Sequence, residues 1–267
     1  MANKTPASDT LKGFTSPRTP KGTSGIVAPP PWHYVGQVTA IEFEADGDKI
    51  APYLPAPMQM ESHQCCVYFI EWQYTSETTE DYLDPVESQY RETILLMSGS
   101  YKGEAMAYCP FIWVDQDKAL MRGLIQGWPK QLGSTHMSRS YALESKAAPT
   151  GLSAATLSVN GKRYMAGRVQ VYEADANMPA PSFAGSALVR YFPDLVKGNH
   201  QQPLVHELVQ LKSRDVQISK VAKGEAMLDF TVMADHELSD FSPKKVLAGY
   251  RFQVALTVDD LKPLTKL

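Results

Sequence analysis

Long hydrophobic runs are missing from this 267-residue sequence. No window approaches the ~18 consecutive apolar residues of a membrane helix, and the N-terminus has no ~7–15-residue apolar core of a secretory signal. A cytoplasmic protein with no membrane partner is therefore expected. Cysteine is scarce: Cys65 and Cys66 are adjacent and Cys109 stands far away. That pattern offers neither a disulfide framework nor a CxxC metal spacing and suits a reducing compartment. An excess of one charge sign is also missing, since 26 basic against 29 acidic residues leave a net charge of −3. Without a basic stripe, nucleic acid is not an expected partner. The sequence contains no GxGxxG, GxxxxGK[ST], HExxH or GxSxG, and its six histidines show no metal-ligand spacing, so neither cofactor nor metal is expected.

What is present is an ordinary globular composition, 43% hydrophobic and 21% charged, in a chain long enough for a large core. Residues 1–31 hold six of the 19 prolines and form either a mobile tail or an extended arm crossing a neighbouring surface. Residues 32–267 read as one domain. Strands are expected at Val35–Phe43, Cys65–Tyr74, Glu92–Gly99, Glu104–Trp113, Leu152–Val159, Lys162–Glu173, Leu204–Val221, Glu225–Val232 and Leu247–Val258. Asn160-Gly161 gives the strongest hairpin signal, and Gly224 is expected to turn the chain between two further strands. A short helical turn is expected at Asp46–Ala51. The main helix is Asp115–Gly127, with Asp115 or Asp117 as its cap and Pro129 as its stop. Many strands, few helices and no βαβ rhythm predict a mostly β (α+β) fold, an antiparallel sheet curled into a closed or half-closed barrel.

One charge is oddly placed. In Gly127-Trp128-Pro129-Lys130-Gln131-Leu132-Gly133 a rigid Trp-Pro step sets Lys130 just after a helix. It is either a surface lysine in a turn or a lysine held among Trp128, Leu132 and sheet aromatics. The second setting disfavours the ammonium form, and moving a lysine from ~10.4 to near neutrality takes roughly 4–5 kcal/mol of differential destabilisation. A free amine so produced attacks a ketone to give an iminium.

The segment Pro129-Lys130-Gln131-Leu132-Gly133 resembles the Pro-Lys-Lys-Leu-Gly of the acetoacetate decarboxylase superfamily. In the same order, Thr15-Ser16-Pro17 through Pro20-Lys21-Gly22, Leu54-Pro55-Ala56-Pro57, Tyr90-Arg91-Glu92, Phe192-Pro193, Glu207-Leu208, Asp215-Val216 and Pro243-Lys244-Lys245-Val246 resemble further family segments. The likeness implies a homo-oligomeric lyase whose reactive lysine is Lys130 and whose active-site carboxylate is Glu92, acting on a small keto acid. It also places the family's first-strand glutamate at Glu71 or Ile70, a one-residue slip that would turn the side chain to the opposite face.

The chain departs from the family pattern at Gln131, where decarboxylases carry a second lysine, at Trp32-His33 in place of an arginine, and at Gly123 or its neighbourhood in place of a glutamate, while the adjacent Arg122 is retained. Gln126 matches a glutamine of the superfamily's aldolase-dehydratase branch, which uses pyruvate-type keto acids; otherwise it is a solvent-facing residue of the last helical turn. Tyr90 shares a strand face with Glu92. Arg122 is either a charge near the site or half of a surface ion pair, and Tyr250 either closes the pocket or fills core. The alternative to catalysis is a barrel that binds a small apolar ligand without covalent chemistry.

Overall fold

The computed structural model describes residues 10–141, 143, 145–172, 174–181, 185–231 and 236–267. Its elements in chain order are β1 (Trp32–Glu44), α1 (Gly47–Ile50), β2 (Gln64–Ser76), α2 (Pro85–Ser88), β3 (Gln89–Tyr101), β4 (Glu104–Val114), α3 (Asp117–Gln126), β5 (Lys130–Leu132) and β6 (Ser134–Met137). They continue with β7 (Leu152–Val159), β8 (Lys162–Val171), β9 (Ser186–Phe192), β10 (Val205–Ile218), β11 (Ala222–Phe230) and β12 (Lys245–Lys266). Strands dominate, as the short runs of β-branched and aromatic residues bounded by turn residues predict.

Seven of the strands close on themselves in the order β1, β2, β3, β4, β9, β10, β12 and back to β1. Every pairing in this ring is antiparallel except β4 with β9, which run parallel through two register pairs, Ala107 with Ser186 and Tyr108 with Ala187. From β12 the sheet also branches through β11, β8, β7 and β6. Side-chain parity divides the core accordingly. Ile41, Phe43, Val67, Phe69, Leu95 and Met97 face outward and pack with Leu157, Met165 and Val169 of the branch. Val38, Cys66, Ile70, Ile94, Leu96 and Phe252 face into the ring.

The Asn160-Gly161 hairpin forms as expected between β7 and β8, both residues at positive φ (50° and 77°), the geometry of a two-residue type I′ turn. Several expectations are corrected. The helix starts at Asp117 rather than Asp115 and has no side-chain cap, because Asp115 Oδ1 instead accepts the backbone N–H of Arg91 at 2.7 Å. Gly224 is no turn but lies inside β11, where the strand changes partner from β12 to β8; a Cβ there would sit 1.8 Å from the carbonyl oxygen of Gln170. β12 runs eight residues beyond Val258, and β5, β6 and β9 escaped prediction. Glu173 and Val232, the expected ends of two strands, lie outside the described residues, as do residues 1–9 of the expected arm.

The rest of that segment, residues 10–31, lies against the ring. Val27 is buried with Trp32 and Val258, and Thr15 Oγ1 accepts the Val27 N–H at 2.9 Å. The Ser76 hydroxyl donates to the Pro29 carbonyl at 2.7 Å.

Gly224→Ala should destabilise the fold by ~1–3 kcal/mol, because the added methyl meets backbone that cannot rotate away. Urea denaturation followed by fluorescence measures it, and an unchanged midpoint would contradict the close approach.

Candidate active site

The position of Lys130 follows from how α3 ends. Gly127 adopts the left-handed conformation, φ 100°, and its N–H returns to the carbonyl of Gly123. Trp128 N–H donates to the same carbonyl at 2.9 Å, so the orphan carbonyl of the last turn is satisfied. Pro129 bars further helix, and Lys130 enters a three-residue strand paired in parallel with β4, opposite Ile112. Its aliphatic stem then runs back over the helix at Gly123, where a Cβ would lie 2.2 Å from Lys130 Cδ. A side chain at position 123 would collide with the lysine stem, so the stem lies in space that only glycine leaves open.

Lys130 is 9% exposed and Glu92 4%, and Lys130 Nζ donates to Glu92 Oε2 at 2.7 Å. The other carboxylate oxygen accepts the indole N–H of Trp72 at 3.1 Å. Trp72 reaches it by lying across β1 at Gly36, where a Cβ would be 2.4 Å from the indole. Both oxygens of a buried carboxylate are thereby bonded, the condition under which burying it is tolerated.

The pair stands in a cavity of about 330 Å³ inside the ring, toward the small end of ligand pockets, which run ~300–1,000 Å³. The strand register sets its composition. Glu92 is opposite Ile70, Ile70 opposite Val38, and Val38 opposite Phe252. The carboxylate's row around the ring is otherwise apolar. Gln126, Trp128, Tyr90 and Tyr34 complete the wall near the lysine. The Gln126 side chain is buried and has no hydrogen-bond partner among the described residues.

Burial lowers the pKa of Lys130; Glu92 opposes the shift, and the Arg122 guanidinium adds to it. Arg122 itself is 1% exposed. Its guanidinium carbon lies 3.8 Å from the ring centroid of Tyr74, 5.3 Å from that of Tyr34 and 5.6 Å from that of Tyr90. Lys130 Nζ stands 5.5 Å from the Tyr90 centroid. One tyrosine ring thus neighbours two cations, favourable for each by cation–π attraction while the cations repel each other. Burial and Glu92 push Tyr90 upward, so its ring stays neutral.

The structure brings Lys130, Glu92, Gln126, Tyr90 and Trp128 to one cavity and leaves the other three candidates outside its lining. Arg122 lies behind Tyr34 and Tyr90, not in a surface ion pair. Glu71 is on the opposite face of β2, where it accepts from Arg91 Nε at 3.0 Å; Ile70 holds the inward position, so the slip resolves against Glu71. Tyr250 occupies the inward row beyond Phe252 and donates to Glu42 Oε2 at 2.6 Å, which ties it into the core. Trp72 and Tyr34 were missed, although both share the inward parity of their strands. Gln131 is exposed, so its difference from lysine does not alter the cavity. The cysteines are buried, with Cys65 pushed up to about 12 and Cys66 and Cys109 also raised by burial, which rules against thiolate nucleophiles. Among the described residues no three metal-ligating side chains cluster, and no helix is long and apolar enough to cross a membrane.

The family model described as acetoacetate decarboxylase matches residues 15–267. No curated protein matches the sequence. Among solved structures, the enduracididine biosynthesis enzyme MppR, complexed with the condensation product of pyruvate and imidazole 4-carboxaldehyde, superposes with a TM-score of 0.89. It is 30% identical, over 97% of this chain and 99% of that one. An acetoacetate decarboxylase-like enzyme from Sphingomonas wittichii RW1 gives 0.87 at 22% identity, over 96% and 100%. Acetoacetate decarboxylase from Legionella pneumophila gives 0.76 at 18% identity, over 97% and 98%; the likeness to these last two is one of fold.

Two substitutions test the geometry. Gly123→Ala drives a methyl into the lysine stem at a cost of ~1–3 kcal/mol, equivalent to a roughly five- to hundredfold loss of correctly placed amine. Labelling of Lys130 by an amine reagent, followed by peptide mapping, should fall accordingly while circular dichroism stays native. Arg122→Met removes a like charge, so the ammonium becomes easier to hold and the lysine pKa rises. The pH at which labelling is half-maximal should then move upward; a downward move would contradict the repulsion.

Proposed function

The chain belongs to the acetoacetate decarboxylase family, and from that premise we propose that it is a Schiff-base-forming lyase joining a small keto acid to an aldehyde with loss of water. The observation that carries this reading is the buried Lys130–Glu92 pair, 2.7 Å apart in an apolar cavity. An amine discouraged from protonation is a nucleophile, and a carboxylate within hydrogen-bond reach takes and returns its protons.

The steps follow from those groups. Lys130 Nζ attacks the keto carbon, and the carbonyl oxygen leaves as water to give an iminium. The methyl carbon next to it gives up a proton, with Glu92 as the base, and the electron pair moves into nitrogen as an enamine. The enamine carbon bonds to the aldehyde carbon, whose oxygen takes a proton. Loss of a second proton and of hydroxide leaves a conjugated iminium, and water hydrolyses it to an unsaturated keto acid and free Lys130. One keto acid and one aldehyde become one unsaturated keto acid and one water.

Throughout, the keto acid keeps its carboxylate, which needs a partner. Gln126, with an unbonded amide at the cavity wall, is assigned that role, and Trp128 and Tyr90 shape the space beside it. The aldol route is favoured over decarboxylation by this neutral amide and by the 30% identical MppR, whose complexes hold pyruvate and a pyruvate–aldehyde condensation product.

Incubation with pyruvate or with acetoacetate, borohydride reduction and peptide mapping test the proposal. A single adduct on Lys130 with pyruvate, absent in Lys130→Met, and no CO₂ from acetoacetate are expected. CO₂ from acetoacetate would make the chain a decarboxylase. No adduct with any keto acid would leave a barrel that binds a small apolar ligand. In Glu92→Gln, exchange of the pyruvate methyl protons in D₂O should slow by ~10²–10⁴-fold, the range lost with a general base.

A further inference from the structure

Resting on that reading, the geometry points to the class of the second substrate: we infer that it is an uncharged aldehyde bearing an apolar aliphatic or aromatic group. Beyond the lysine the cavity is a trough along β12, where Phe252, Val254, Leu256 and Val258 alternate inward. Three two-residue steps extend it over roughly 20 Å. Ile94 and Leu96 continue the Glu92 face of β3 in the same way.

The charges around this trough are accounted for. Lys130 and Glu92 bond each other and are engaged by the keto acid during the reaction. Arg122 has no place in the lining, being screened by Tyr34 and Tyr90, whose rings do line the cavity. No other lysine, arginine, aspartate or glutamate lines it among the described residues. With Gln126 taken by the keto acid's carboxylate, a carboxylate or ammonium on the aldehyde would be stripped of water with neither a counter-charge nor a free amide to meet it, whereas an apolar group gains from leaving water. Ser213 and Ile218, which β10 contributes to the lining where it meets β12, are uncharged, and the nearby Arg214 is paired with Asp215 and Asp259.

Methyl-proton exchange of pyruvate in D₂O, without aldehyde, first reports the enamine. Condensation with pyruvate is then compared for benzaldehyde, hexanal, imidazole 4-carboxaldehyde and 4-carboxybenzaldehyde by ultraviolet absorbance of the conjugated product. kcat/KM for the first two is expected to exceed that for imidazole 4-carboxaldehyde by at least tenfold and that for 4-carboxybenzaldehyde by more than a hundredfold. Leu256→Arg, or Val254→Arg should the first variant fold poorly, is expected to narrow the gap to 4-carboxybenzaldehyde at least tenfold. Exchange accompanied by equal or reversed preference would overturn the inference and leave the proposed function standing. Absence of exchange would take both down.

Discussion

A lysine and a glutamate buried together in an apolar ring constrain everything near them. Removing two ions from water costs several kcal/mol each, and their attraction repays this only when the remaining hydrogen-bonding capacity is met. For Glu92 the surrounding sequence meets it by shape. Trp72 supplies the second bond to Glu92 because Gly36 leaves room for its indole, and the lysine stem lies flat on α3 because Gly123 has no side chain. Gly127 ends that helix in the one conformation that returns the chain toward β4. Small residues at three points on two elements thus fix one amine against one carboxylate.

The electrostatics depend on separation as much as on contact. Arg122 is close enough to disfavour a second positive charge at Lys130, yet it is walled off by aromatic rings and cannot compete for Glu92. In a low-dielectric interior such a fixed charge acts over a distance that water would screen. The arginine's setting among Tyr34, Tyr74 and Tyr90 gives its guanidinium attraction without a carboxylate, so Glu92, the one carboxylate lining the cavity among the described residues, stays with the lysine.

Much of this was legible in the residues. The nearly continuous apolar run Cys65–Tyr74 marks a strand buried on both faces, the i, i+2 spacing puts Tyr90 and Glu92 on one face, and Lys130 and Glu92 stood out through the pattern of segments around them. Parity alone would have chosen Ile70 over Glu71 had the strand's register been fixed by its neighbours, which a single sequence does not supply. Arg122 read equally well as a surface residue, because helical spacing does not reveal which face tyrosines from two strands will cover. Gly224 looked like a turn because glycine's freedom and its small size leave the same mark in sequence; here size decides, against the Gln170 carbonyl. Strands as short as β5 have too few residues to show a period, and β9 acquires its role only by closing the ring.

That closure is uneven. Long antiparallel ladders join β1 with β2 and with β12 through thirteen register pairs each, whereas β4 meets β9 through two. Gly185 and Ser186, at the start of β9, border the cavity, and Gly185 O accepts the Ala107 N–H at 2.9 Å. The ring therefore has a seam, and parting it breaks fewer backbone hydrogen bonds than parting any of the long ladders. Thermal breathing concentrates where the stitching is sparse, so the vessel holding the lysine loosens first along one wall of its own cavity, while the wall that carries Trp72 and Glu92 keeps its shape.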